Sequence, residues 1–146
     1  MNVELKNLIT QGIYAAERGN FLLGLVHFEA AAKIEKNPTV CSYLGLCQAG
    51  EHRQFHRALS LCGDACKKEP VNSVHYLNLG RVYLMAEQKS NAIWVFRRGL
   101  KMGRNPRIVA ELKKLGLRRQ PMMMALPREN PLNKYLGLLS TRLGFR

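Results

Sequence analysis

Apolar positions recur through most of the chain at the three- and four-residue steps of an α-helix. The stretch Ile108, Val109, Leu112 and Leu115 is one example, with Arg107, Lys113 and Lys114 as its polar or solvated positions. A second is Leu132, Tyr135, Leu136, Leu139 and Leu143, an amphipathic face with Lys134, Ser140 and Arg142 falling largely elsewhere. Punctuation divides the chain between such stretches. Arg18-Gly19-Asn20, Asn37-Pro38, Ala49-Gly50, Glu69-Pro70 and Met102-Gly103 have the character of turns and helix ends. The pattern predicts helices over roughly 2–17, 21–35, 38–49, 54–68, 73–86 and 90–102. Asn105-Pro106 then has the form of an N-cap and first helical residue for a seventh helix ending near Gly116. Beyond it, Met122 to Leu126 lies between prolines and is expected to be extended.

The helices repeat in pairs. In Ser73 to Pro106 the order is Tyr76-x2-Leu79-Gly80-x2-Tyr83, then Ala92-x3-Phe96, then Asn105-Pro106. Moved back by two units of about 34 residues, the same positions hold Gly12, Gly24, Phe28, Ala31 and Asn37-Pro38. A middle copy carries Cys62 in the place of the phenylalanine and closes at Pro70. Its Leu44-Gly45 stands one residue early, which implies an extra residue between Gly50 and Gln54. Glycine inside a helix costs about 1 kcal/mol relative to alanine, so Gly12, Gly45 and Gly80 imply a close approach by a second helix. This spacing resembles the tetratricopeptide repeat (TPR), with Tyr76 where the family pattern has tryptophan. The resemblance implies an all-α fold: a right-handed α-solenoid of three TPR helix-turn-helix units (1–104), a capping helix (105–116), and a basic tail with a C-terminal amphipathic helix (117–146). The tail, with its LPRENPLNKYLG segment, is similar to the one that follows some bacterial TPR arrays.

Charge changes the picture of the C-terminal third. The net charge is +13, yet residues 1–96 contribute only +2 and residues 97–146 contribute +11. Arg97, Arg98, Lys101, Arg104, Arg107, Lys113, Lys114, Arg118 and Arg119 fall within one short run. Such a basic patch either keeps a surface solvated or meets an acidic partner: nucleic acid, an anionic membrane surface or an acidic protein segment. Aromatic residues are few there, which serves base stacking poorly. No run of about 18 apolar residues is present, so no membrane span is expected. The start of the chain lacks a secretory pattern, and four cysteines without one read as reduced thiols of a cytoplasmic protein.

No phosphate loop, dinucleotide fingerprint, zinc-protease helix or nucleophile elbow occurs, so neither an enzyme nor a cofactor is expected. Cys62-x3-Cys66 and His52-x3-His56 match the short spacings of a zinc site. Cys62 and Cys66, however, hold repeat positions of the core, and the reading adopted is buried thiols with no metal. In the TPR family the first helix of each pair lines a concave groove. Carried over by position, the groove residues are Lys6, Ile9, Ile13 and Ala16, then Ser42, Tyr43, Leu46 and Ala49, then Val74, Leu77, Asn78, Arg81, Leu84 and Met85. About a third of these are expected to be core instead. TPR domains that clamp a C-terminal carboxylate use lysine and asparagine where Ile9 and Ile13 stand. An apolar groove suits an amphipathic helix or an extended apolar segment of a protein partner. The function expected is therefore a non-enzymatic scaffold or adaptor. Nucleic-acid binding and a TPR-type chaperone of a secreted protein are the alternatives. Residues 122–145 have the character to fill such a groove in their own chain or in a homo-oligomer.

Overall fold

The computed structural model describes residues 2–116, and all of its regular structure is helical. Seven helices follow one another: α1 (Val3–Glu17), α2 (Phe21–Ile34), α3 (Pro38–His52), α4 (Phe55–Lys68), α5 (Ser73–Met85), α6 (Lys89–Met102) and α7 (Pro106–Lys114). Among the described residues no helix is long and apolar enough to cross a membrane. Contacts divide the chain into two units, Met1–Glu111 and Leu112–Arg146. Of the second unit only Leu112–Gly116 is described, the final turn of α7 and a glycine in the left-handed region at φ 76°. The expected tail helix, the Met122–Leu126 stretch, Arg118 and Arg119 lie outside the described residues.

Helix starts follow from asparagine. Asn2, Asn20, Asn37, Asn72 and Asn105 each accept a backbone N–H of their helix's first turn through Oδ1. These bonds satisfy donors that have no partner within the helix. Pro38 opens α3 and Pro106 opens α7, where the missing N–H is harmless. Gln54 and Gln88, ahead of α4 and α6, make no capping bond.

The pairs α1–α2, α3–α4 and α5–α6 pack tightly, and each pair also packs on the next through α2–α3, α3–α5 and α4–α5. That is the contact pattern of a helical repeat, in which one pair completes the core of its neighbour. The repeated glycines explain the closeness. A Cβ at Gly12 would lie 2.7 Å from the Phe28 ring, and one at Gly80 would overlap the Phe96 ring. In the middle pair Cys62 stands in for the phenylalanine, and a Cβ at Gly45 would meet its sulfur and the Ala58 carbonyl oxygen at 2.9 Å. The main core joins all three pairs through Leu25, Phe28, Tyr43, Leu46, Cys47, Cys62 and Val82. Phe28 and Tyr43 stack with ring centroids 5.3 Å apart.

Two expectations need correction. Helix α3 continues to His52 and does not stop at Ala49. Its end comes at Arg53, a left-handed residue with φ 54°. Gly50 is helical, and its missing side chain makes room for the Phe21 ring. The glycine thus records a close approach and not a turn. In α7, Ile108 is fully buried while Val109 is 40% exposed. Adjacent residues point about 100° apart on a helix, so only one of the two faces the interior.

Candidate functional site

The first helices α1, α3 and α5 lie side by side, so the positions assigned to a groove are brought together. They do not share one environment. Tyr43, Leu46, Leu77 and Asn78 are buried, with exposures of 2%, 1%, 0% and 0%. With Ala16, Ser42 and Ala49 this makes half of the fourteen positions core, more than the expected third. The Asn78 Nδ2 donates internally to Ser42 Oγ at 3.0 Å, while its buried Oδ1 has no partner among the described residues. The half-buried Ile9, Ile13, Val74, Leu84 and Met85 are what the face still offers in apolar surface.

Arg81 is engaged by its own fold. Its NH1 donates to both carboxylate oxygens of Glu17, at 3.1 and 3.2 Å, and its Nε donates to Glu111 at 3.1 Å. Arg107 reaches the same Glu17 at 2.6 Å. The Tyr43 hydroxyl also donates to Glu17, at 3.2 Å. Burial pushes the Tyr43 phenol above its ordinary range, and the Glu17 carboxylate adds to the rise. Two guanidiniums and two carboxylates therefore form one neutral cluster drawn from α1, α5 and α7. Sequence reasoning picked out Tyr43 and Arg81 but missed Glu17 and Glu111, and it read Arg107 as polar or solvated within the basic run, without a partner on α1. The repeat spacing carries no signal for these partners, because Glu17 lies 64 residues from Arg81.

At the other end of the same face, α1 and the start of α3 enclose a cleft of about 320 Å³ lined by Lys6, Ile9, Thr10, Asn37 and Thr39. It presents one aliphatic side chain, one ammonium, one carboxamide and two hydroxyls, of which the Thr10 hydroxyl already donates to the Lys6 carbonyl oxygen at 2.9 Å.

The basic residues separate. Arg97 is half-buried, whereas Arg98, Lys101, Arg104, Lys113 and Lys114 are exposed. Arg98 is not simply solvated, since its guanidinium lies 5.6 Å from the centroid of the Trp94 ring. Cys47 and Cys62 are fully buried and Cys66 is 9% exposed. Burial pushes the Cys47 thiol up to about 12 and the Cys66 thiol up to about 11. These are protonated, hydrophobic side chains at neutral pH, as their core positions require. Among the described residues no three His, Cys, Asp or Glu side chains gather as a metal site would need.

No protein-family model matches the chain, and no curated protein matches it.

Proposed function

We propose that the chain is a non-enzymatic scaffold of the TPR type, holding a segment of a protein partner against the first-helix face. One observation carries this reading. Between α1, α5 and α7 the face is occupied by the Glu17–Arg81–Arg107–Glu111 cluster, while the cleft beside Ile9, between α1 and the start of α3, is open. A bound segment would rest on Ile9 and Ile13, with Lys6 available to a carboxylate or a carbonyl. Arg81, already shared between two carboxylates, is a poor candidate for recognising a C-terminal carboxylate. Four free cysteines fit a reducing, cytoplasmic setting.

Affinity capture with the full chain tests the reading. A protein partner retained by the native chain is expected to be lost with Ile9→Asp and Ile13→Asp, and retained with Arg98→Glu. Retention by both isoleucine variants of the partners that also survive Arg98→Glu would overturn it. The nucleic-acid alternative draws on the exposed Arg98, Lys101 and Arg104. It requires affinity that falls steeply with added salt, by contrast with an apolar groove.

A further inference from the structure

A second surface lies on the side of the second helices and plays no part in the groove. Helices α4, α5 and α6 enclose a cleft of about 280 Å³. Its floor is apolar: Tyr76 and Cys66 are buried and Leu79 is half-buried. Its rim is formed by Lys67, Trp94 and Arg98, all exposed. Trp94 is 64% exposed, although it stands beside an apolar depression that could cover it. The guanidinium of Arg98 lies over the Trp94 ring, 5.6 Å from its centroid, an attraction that favours this arrangement of the two side chains.

Charge complements this shape. Helix α6 contains Lys89, Arg97, Arg98 and Lys101 and no acidic residue, and Lys101 continues the face of Trp94 and Arg98 by one turn. Among the described residues no carboxylate pairs with Lys67, Arg98 or Lys101. At about 280 Å³ the depression sits at the low end of small-molecule pockets, a size that one large side chain also fills. Tryptophan, tyrosine and arginine are the residues on which binding energy concentrates at protein interfaces. A single-stranded nucleic acid would need successive aromatic platforms, and here there is one tryptophan with a face already covered by arginine.

We infer that this cleft docks an acidic segment of a protein partner, which inserts one large apolar side chain between Trp94 and Tyr76 and sets its carboxylates on Lys67, Arg98 and Lys101. The site is separate from the first-helix groove and does not depend on it.

Trp94 is the sole tryptophan of the chain, so its own fluorescence reports on the site. The probes are short tryptophan-free peptides of Asp and Glu, each with a single central Leu, Met or Phe, titrated into the full chain. At least one is expected to bind saturably and shift the Trp94 emission to the blue. Its affinity, read by anisotropy of a labelled copy, is expected to fall by at least about tenfold with Trp94→Ala, with Arg98→Glu, and when the central residue of the peptide is alanine. Ile9→Asp is expected to leave it unchanged. Both substituted side chains are exposed, and circular dichroism checks that the variants fold. The proposal is overturned if none of these peptides binds saturably, if binding survives both substitutions, or if a single-stranded oligonucleotide shifts Trp94 where the peptides do not.

Discussion

Glycine carries more of this structure than its propensity suggests, and two positions separate its uses. Gly80 lies against the Phe96 ring, which is fully buried and has nowhere to move. Gly80→Ala is expected to destabilise the fold by about 1–3 kcal/mol through overpacking, despite the gain in helix propensity. Gly63, inside α4, has nothing within 4 Å of where a Cβ would stand. Gly63→Ala is expected to stabilise by up to about 1 kcal/mol. Urea denaturation of the two variants measures both signs. The buried thiols give a separate test. In the unfolded chain they lose their protons near an ordinary value of 9.0, while in the folded chain Cys47 holds its proton up to about 12 and Cys66 up to about 11. The folded state therefore binds more protons above pH 9, and its stability falls as pH rises through that range. Below pH 9 both states keep the proton, so these groups contribute no slope. Denaturation midpoints at pH 7, 9 and 10 check this, and Cys47→Ala is expected to flatten the decline.

Five of the seven helix starts here are set by an asparagine side chain, and the start at Asn105-Pro106 was legible in the sequence for that reason. Asparagine ahead of an apolar run is a local signal, with its partner N–H two or three residues away. The same local rule placed the start of α7 at Pro106. It failed at the end of α3, where Gly50 serves a neighbouring phenylalanine and Arg53 takes the left-handed turn. Asn105 differs from the other caps because it also ties its helix to the preceding pair. Its Oδ1 accepts from Arg107 N at 3.0 Å, and its Nδ2 donates to Ser73 Oγ at 3.1 Å. Asn105→Ala is expected to lower stability by about 1–3 kcal/mol, combining the cap with the lost hydrogen bond. Asn20→Ala removes an exposed cap alone and is expected to stay near about 0.5–1 kcal/mol. Thermal unfolding of the pair distinguishes the two roles.

A helical repeat is stabilised mainly between neighbouring pairs. The ion-pair cluster goes further, joining α1 of the first pair to α5 of the third and to α7. Its side chains are 13–43% exposed, so each bond is screened in part but not lost to water. Glu17→Ala leaves Arg107 and the Tyr43 hydroxyl without their partner and Arg81 with Glu111 alone, and is expected to destabilise by about 1–2 kcal/mol. Arg81→Ala should do likewise, and the double variant should fall short of the sum because both remove the same bonds. Denaturation in low and high salt reads this, with the smaller loss at high salt. The cluster also decides how much groove remains. Of the fourteen positions first assigned to binding, seven went to the core, Tyr43, Leu46, Leu77 and Asn78 among them, and Arg81 went to the cluster.

The paired helices, their order and the close approach at Gly12, Gly45 and Gly80 were determined by the sequence alone; that the Phe28 and Phe96 rings fill two of those approaches was shown by the structure. Each depends on residues within one turn of a helix or one helix of its partner, where spacing maps directly onto geometry. The burial of Tyr43 and Asn78, the sharing of Arg81 between Glu17 and Glu111, and the cleft around Trp94 were decided only in three dimensions. They depend on side chains brought together from distant pairs. Repeat spacing defines which face a residue occupies, while its distant neighbours decide whether that face is open, filled or neutralised.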